Sequence, residues 1–467
     1  MLDLINQHVV LDANRQRLSD YLIGVFEELP SRKSVKKAID KGRVKVNGQV
    51  ANTGYYPQQN DEVQLFEEAL KHPEYQFKVE VVYEDDYYAL INKPAGLKVS
   101  GNEHQNLQNC LSFNLTKSSQ KDALLYPRPA HRIDSMTRGL VLVAKTYSYL
   151  RHFLDLFENR QISKTYLAIV EGELKGSGEI DTDVDDKKAR SKYVVLESFP
   201  SVKNGHLSLV ELKPKTGRQH QLRIHLASIG HPIVGDALYN VEGKLKHKGL
   251  YLCAKSLSFE LPDGDGVDYN LDIPNKFQGL MDREKLWMVR MQEQAVLKDF
   301  VKESEIIQDL FESLSQVDSS EKLYLSAGCI RNTYWDRIYN CQHDLNDVDV
   351  IYHSISDIED ELEKQLQAIN PKYKWSVKNQ ARMHLKHGHE AYADIKEAMS
   401  FWPETATAIA LRKEENRIEI ISANGLSDLL EGRIVMSPDA IQSLFNQRFQ
   451  EKAWQKKWPK LTTSLQY

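Results

Sequence analysis

His131-Arg132-Ile133-Asp134-Ser135-Met136-Thr137-Arg138-Gly139-Leu140-Val141-Leu142-Val143-Ala144-Lys145 passes from a polar cluster to an apolar run within two residues. Gly139 to Ala144 is short, branched and without alternation, the composition of a strand covered on both faces. Just before it stands one acid, Asp134, flanked by Arg132 and Arg138. The pattern predicts a carboxylate at the mouth of a buried sheet. A salt-bridged loop ahead of a strand would read the same way, so the surrounding chain has to decide between them.

A chain of 467 residues is too long for one core and predicts two or three domains. Hydrophobic residues at 41% and charged residues at 27% are ordinary for a soluble globular protein. Met-Leu-Asp-Leu-Ile-Asn lacks the basic region and apolar core of a secretory signal, and no apolar run approaches the ~20 residues that span a bilayer. A cytoplasmic protein without a membrane partner is expected, and nothing calls for an obligate oligomer. Cys110, Cys253, Cys329 and Cys341 are scattered without CxxC spacing and read as reduced thiols. A net charge of -5 argues against indiscriminate polyanion binding, so any nucleic-acid site must be a local basic surface.

Upstream, residues 14–70 read as a separate small module. Leu18, Tyr21, Leu22 and Val25 recur at helical spacing, and Ser31 can cap a second helix that exposes Arg32, Lys33, Lys36, Lys37 and Lys41. After Gly42 the pattern alternates, Val44, Val46 and Val50 around Asn47-Gly48, a two-residue hairpin signal. His72 to Lys78 reads as a linker into a second domain, residues 78–280. There Val79–Val82 and Tyr88–Ile91 are predicted strands, and Asn92-Lys93-Pro94-Ala95-Gly96 an irregular connection. The stretch from Gly101 to Leu125 is polar and uninformative.

Downstream, Leu150, Phe153, Leu154 and Phe157 predict a helix with one buried face, followed by a strand around Tyr166 to Val170. A strand over Leu207–Leu212 leads to Thr216-Gly217 and a helix striped by Leu222, Leu226 and Ile229, ended by Gly230 and His231-Pro232. Pro262 and Ile273-Pro274-Asn275 are expected to close the domain. Strands outnumber helices, so the class is α+β with a mixed or mainly antiparallel sheet. A charged helix from Leu286 leads into a third unit, residues 296–467. Its centre holds a strand ending at Ala327-Gly328, then Arg331, then Asp347-Val348-Asp349-Val350. On a strand Asp347 and Asp349 point the same way and can share a divalent cation.

Four ordered motifs now carry a resemblance. His-Arg-Ile-Asp followed by Thr-x-Gly, with Asn92-Lys93-Pro94-Ala95-Gly96, Lys164-Thr165-Tyr166 and Thr216-Gly217-Arg218-Gln219-His220-Gln221-Leu222-Arg223-Ile224-His225, resembles the RluA-type RNA pseudouridine synthases. Arg138 departs from it, standing where that family usually has Ser. The resemblance implies that Asp134 is the catalytic carboxylate, Arg223 its guanidinium partner, and Tyr166 the ring against the base with a hydroxyl able to accept a proton. It implies that Arg132 fills the stack from which a base is extruded, with Arg218 among the RNA contacts, and that no cofactor is needed. The module at residues 14–70 resembles the S4 fold, implying phosphate contacts from Arg32, Lys33, Lys36, Lys37 and Arg43. The RNA is expected to be ribosomal or transfer RNA.

The third unit resembles an uncharacterised bacterial branch of the nucleotidyltransferases, with an α/β fold. That likeness implies Gly328 and Arg331 near the phosphates of a nucleoside triphosphate, Asp347 and Asp349 on Mg²⁺, and a third carboxylate from Asp394 or Glu404. A docking module on the same fold is the alternative. For the whole chain the alternatives are a noncatalytic RNA-binding protein with decayed enzyme folds, and a hydrolase built on His131, His220, His225 and His231. The latter is disfavoured because His220 and His225 face different sides of a helix.

Overall fold

The predicted buried strand runs Arg138–Thr146, and every residue from Gly139 onward is buried. It pairs antiparallel with Tyr88–Lys93 and with Ala123–Pro129. On its other side it meets Leu252–Glu260 in parallel, through Cys253 opposite Arg138 and Ala254 opposite Gly139. Gly139 has φ +114°, and a Cβ there would lie 2.2 Å from the Ala254 carbonyl oxygen, so only glycine lets the two backbones approach. This computed structural model describes residues 4–12, 15–67, 74–240, 249–345, 347–415 and 417–463, without the side chains of 386 and 387. The expected linker at 72–78 therefore lies partly outside the described residues.

Among the described residues the sheet around this strand has ten strands. Along its main path lie 177–180, 191–201, 205–214, 163–171, 252–260, 138–146, 88–93 and 80–84. Among the described residues its other ladders are antiparallel, as the α+β class expects. Both faces of the central strand are covered. Leu140, Leu142 and Ala144 pack with Phe153 and Leu156 of the helix Tyr147–Glu158, while Val141 and Val143 pack with Leu107, Cys110 and Leu111. Each such leucine, valine or phenylalanine contributes roughly 1.5–3 kcal/mol by leaving water. Three expectations are corrected here. Leu154 is 48% exposed, its place in the stripe taken by Leu156. The stretch thought uninformative holds the helix Leu107–Asn114, capped by Asn106, whose side chain accepts from the Asn109 amide. Ile229 likewise lies beyond its helix, Gln221–Ser228, and is exposed.

In the N-terminal module Ser31 and Ser34 form a reciprocal cap on Arg32–Asp40. Val35, Ala38 and Ile39 turn inward, leaving Arg32, Lys33, Lys36 and Lys37 exposed. Asn47 and Gly48 both have positive φ, 49° and 80°, as a type I′ hairpin turn requires. Val50 departs from the expected alternation, 62% exposed on the edge strand Gln49–Val50.

Residues up to Lys285 form one compact unit and those from Leu286 a second. The connecting helix starts earlier than expected, at Asn275 rather than Leu286, and runs to Glu303. Pro274 begins it instead of closing the domain, its carbonyl accepting from the Phe277 amide. Phe277, Leu280 and Met281 belong to the core of the first unit, and Leu297, Phe300 and Val301 to that of the second. The second unit has a five-stranded sheet in the order 374–379, 347–352, 324–326, 409–414, 417–422, with the first two parallel. Among the described residues no helix is long and apolar enough to cross a membrane.

Candidate active site

The loop before the central strand opens into a cleft of about 820 Å³. Basic side chains line it, among them Arg132, Arg160, Lys164, Lys213, Lys215 and Arg218. This is the local basic surface that a chain of net charge -5 needs for a polyanion. Asp134 lies in it with its side chain one-fifth exposed, Oδ2 3.7 Å from Arg223 Nη1 and Oδ1 3.8 Å from His220 Nε2. Arg132 is exposed at the rim, and Arg218 is partly engaged, its Nε donating to the Lys188 carbonyl at 3.2 Å.

The loop is fixed from beneath by a residue read only as part of an irregular connection. Lys93 is fully buried, and its ammonium donates to the carbonyls of Pro94, Leu97 and Ser135 at 2.9, 2.7 and 3.0 Å. The Gly96 amide donates to the same Ser135 carbonyl at 2.7 Å. Burial pulls the Lys93 ammonium down to about 8, against the opposing pull of Asp134. The pairing of Lys93 with Gly139 on the adjacent strand is what brings this lysine under the loop.

Arg223 differs from its expected role in one respect. Its fork does not hold Asp134; Nε and Nη2 donate to the two oxygens of Asp236 at 2.7 and 2.8 Å, leaving Nη1 toward Asp134. Burial works against both charges of this pair, and their mutual hydrogen bonds more than offset it, so Asp236 stays below the usual carboxylate range and Arg223 is held charged. Asp236 Oδ1 also accepts from the amides of Leu238 and Tyr239. Sequence reading missed Asp236 because Val234-Gly235-Asp236 follows His231-Pro232, which was informative only as a helix stop.

Tyr166 sits on the strand Ser163–Glu171, opposite Ala254 and Leu212, and lines the cleft. Burial, and then the charge of Asp134, push its phenol well above the ordinary range. Its hydroxyl therefore holds its proton. His131 is structural: Nε2 accepts from the Leu142 amide at 3.0 Å, the ring packs on Phe157, and burial lowers its pKa to about 3. His225 and His231 each bond a backbone carbonyl, of Thr182 and Glu171. Among the described residues no group of three or more His, Cys, Asp or Glu side chains could hold a metal.

Of the N-terminal cations, Arg32 pairs with Asp20 at 2.7 Å and Arg43 donates through Nε to the Phe66 carbonyl at 2.8 Å. Arg32 is exposed with Lys33, Lys36 and Lys37, whereas Arg43 is half-buried.

In the second unit Asp347 and Asp349 share the strand Asp347–Tyr352. Asp347 is half exposed, 3.4 Å from Lys374. Burial and then the charge of Asp347 raise the Asp349 carboxyl. Gly328 opens the helix Gly328–Tyr339 after Ala327, a non-glycine residue at φ 56°. Arg331 is corrected: one turn into that helix it points inward, is 4% exposed, donates to Thr407 at 2.7 Å, and lies between the rings of Trp335 and Trp454. Such a guanidinium packs into the core of this unit. Both candidate third carboxylates are committed elsewhere. Asp394 caps a helix by accepting from the Glu397 amide, and Glu404 is bound by Arg448 and Thr407.

Three family profiles match the chain in order: the S4 domain over residues 28–63, RNA pseudouridylate synthase over 87–228, and Nucleotidyltransferase over 319–463. An "Uncharacterized RNA pseudouridine synthase" of Aquifex aeolicus is 28% identical over 301 residues, 58% of this chain and 94% of that one. The Bacillus subtilis protein "Uncharacterized RNA pseudouridine synthase YlyB" is 30% identical over 54% of this chain and 89% of its own length. "Ribosomal large subunit pseudouridine synthase D" of Borreliella burgdorferi is 29% identical over 58% of this chain and 91% of its own. With a basic cleft around an ionisable loop aspartate, and with relatives matched over nearly their full length, the chain belongs to the RNA pseudouridylate synthase family.

Proposed function

We propose that this enzyme isomerises uridine in large-subunit ribosomal RNA, with Asp134 as its nucleophile. The reaction breaks the bond from ribose C1′ to N1 of uracil, turns the base, and rejoins it through C5. Nothing is added, so the chemistry asks for a carboxylate that stays ionised in a partly dry site. The observation that carries this reading is Asp134 in the basic cleft, 3.7 Å from an Arg223 whose other edge is locked to Asp236. Arg132 at the rim would fill the gap left by the flipped base, and Tyr166 would stack on the base. The ribosomal target is supported by the name of the Borreliella relative. Mapping pseudouridines transcriptome-wide with and without the gene tests it: sites lost only from transfer RNA would overturn the ribosomal assignment, and no lost sites would favour a noncatalytic RNA-binding protein.

The exposed N-terminal cations would add affinity without base specificity. Replacing Arg32, Lys33, Lys36 and Lys37 together by Gln is expected to weaken RNA binding and flatten its salt dependence, leaving turnover at saturating RNA near wild type. An unchanged slope of log affinity against log salt would make this cluster a solvated helix face.

For the second unit we propose nucleotide binding through Mg²⁺. The donor chemistry fits: two carboxylates alternate on one strand, and burial, then the charge of Asp347, raises Asp349, so a divalent cation would favour the ionised pair. Asp347 and Asp349 would hold the ion, which would supply charge neutralisation at the phosphates. In the full-length protein, calorimetry is expected to detect a nucleoside triphosphate only with Mg²⁺, and Asp347→Asn/Asp349→Asn to abolish the signal while pseudouridine formation continues. No binding under either condition would favour a docking module.

A further inference from the structure

His220 adopts a left-handed backbone, φ 54° and ψ 16°, which few residues with a Cβ occupy without a reason. In that conformation its Nδ1 lies 2.9 Å from the Tyr239 hydroxyl and its Nε2 3.8 Å from Asp134 Oδ1. Tyr239 is itself fixed. Its amide donates to Asp236 Oδ1, and its ring lies 5.1 Å from the Arg223 guanidinium carbon. One buried carboxylate, Asp236, therefore anchors Arg223 directly and His220 through Tyr239.

The tautomer follows from what faces each ring nitrogen. A lone pair on Nε2 would point at the Asp134 carboxylate and repel it, so Nε2 carries the hydrogen and the Tyr239 hydroxyl satisfies Nδ1. Asp134 then has a nitrogen donor opposite each oxygen, Arg223 Nη1 at Oδ2 and His220 Nε2 at Oδ1, both just beyond hydrogen-bond length. We infer that His220, set by Tyr239, is a positioning residue for Asp134. Its Nε2–H closes on Oδ1 when RNA fills the cleft, as Arg223 closes on Oδ2, and the two donors leave the carboxylate one orientation for attack. His220 transfers no proton in this scheme. The inference rests on the reading of Asp134 as nucleophile.

The test uses the full-length chain and total RNA, tritiated at uracil C5, from cells lacking the gene; replacement of the C5 hydrogen releases tritium. His220→Ala is expected to slow single-turnover release about thirtyfold, the size of one lost hydrogen bond to a charged group, with RNA affinity within about threefold of wild type. His220→Gln, whose amide N–H reaches toward the place of Nε2, is expected to recover about tenfold of that loss. Both variants meet the same left-handed backbone, so a difference between them does not come from folding. Tyr239→Phe is expected to slow wild type about tenfold and to have no further effect in His220→Gln. Release by His220→Ala within threefold of wild type, no recovery by Gln, or a loss confined to RNA affinity would each overturn the inference. Asp134→Asn assayed alongside separates the two readings: if it releases tritium normally the nucleophile assignment fails, and if it is inactive while His220→Ala is normal only the positioning role fails.

Discussion

Asp134→Asn is expected to bring pseudouridine formation below detection while leaving fold and RNA affinity near wild type. The amide has the same shape, so the loop can keep its support from Lys93 and Gly96 beneath Ser135. What it loses is the anionic oxygen that attacks, and an amide offers no comparable nucleophile. The substitution also puts a neutral group opposite Arg223 Nη1 and His220 Nε2, so the two donors lose their anionic acceptor. The check is tritium release together with a gel-shift titration and a melting curve. Release near the wild-type rate would refute the assignment, and a collapsed melting transition would show that Asp134 is needed for folding instead.

Arg223→Lys is expected to lose activity by more than tenfold and to lower the melting temperature as well. Had the guanidinium fork held Asp134, only activity would be at stake. Because the fork holds Asp236 inside the core, a lysine leaves one of the two Asp236 contacts unmade, and a lost hydrogen bond to a buried charge costs ~1.5–3 kcal/mol. Removing the partner instead, by Asp236→Ala, leaves a buried cation and should cost ~3–5 kcal/mol. Both are checked by denaturant unfolding alongside single-turnover rates. A melting temperature that falls while activity stays within tenfold would separate Arg223 from the chemistry.

The parts of this molecule that a sequence reveals are those whose physics is local. The strand after Asp134 announced itself by composition, the Ser31 cap by residue type, and the Asn47-Gly48 turn by a backbone requirement that few residues meet. The motif around Asp134, Tyr166 and Arg223 was legible as an ordered set, and the cleft brings those residues together. What stayed hidden depends on distant pairing. Lys93 reads only as part of an irregular connection until Gly139 pairs with it, and Asp236 gives no signal until Arg223 reaches it. Arg331 misled for the related reason that its position beside a glycine turn fixes where its Cα lies, not which way the side chain points. Whether it faces the solvent or two tryptophans was decided by Trp454, more than a hundred residues on.

The two-pair parallel seam at Gly139 bears on when the enzyme can first work as it is synthesised. Strand Arg138–Thr146 can pair with Tyr88–Lys93 as soon as it emerges, because the intervening segment, with the helix Leu107–Asn114 and the strand Ala123–Pro129, has already been made. Its other neighbour, Leu252–Glu260, is made more than a hundred residues later, and Arg223 only shortly before that. A nascent chain thus displays Asp134 and the early half of the sheet with no guanidinium beside the carboxylate and one side of the catalytic loop uncovered. Catalysis waits on the closure of a long-range contact, the slow class of folding event.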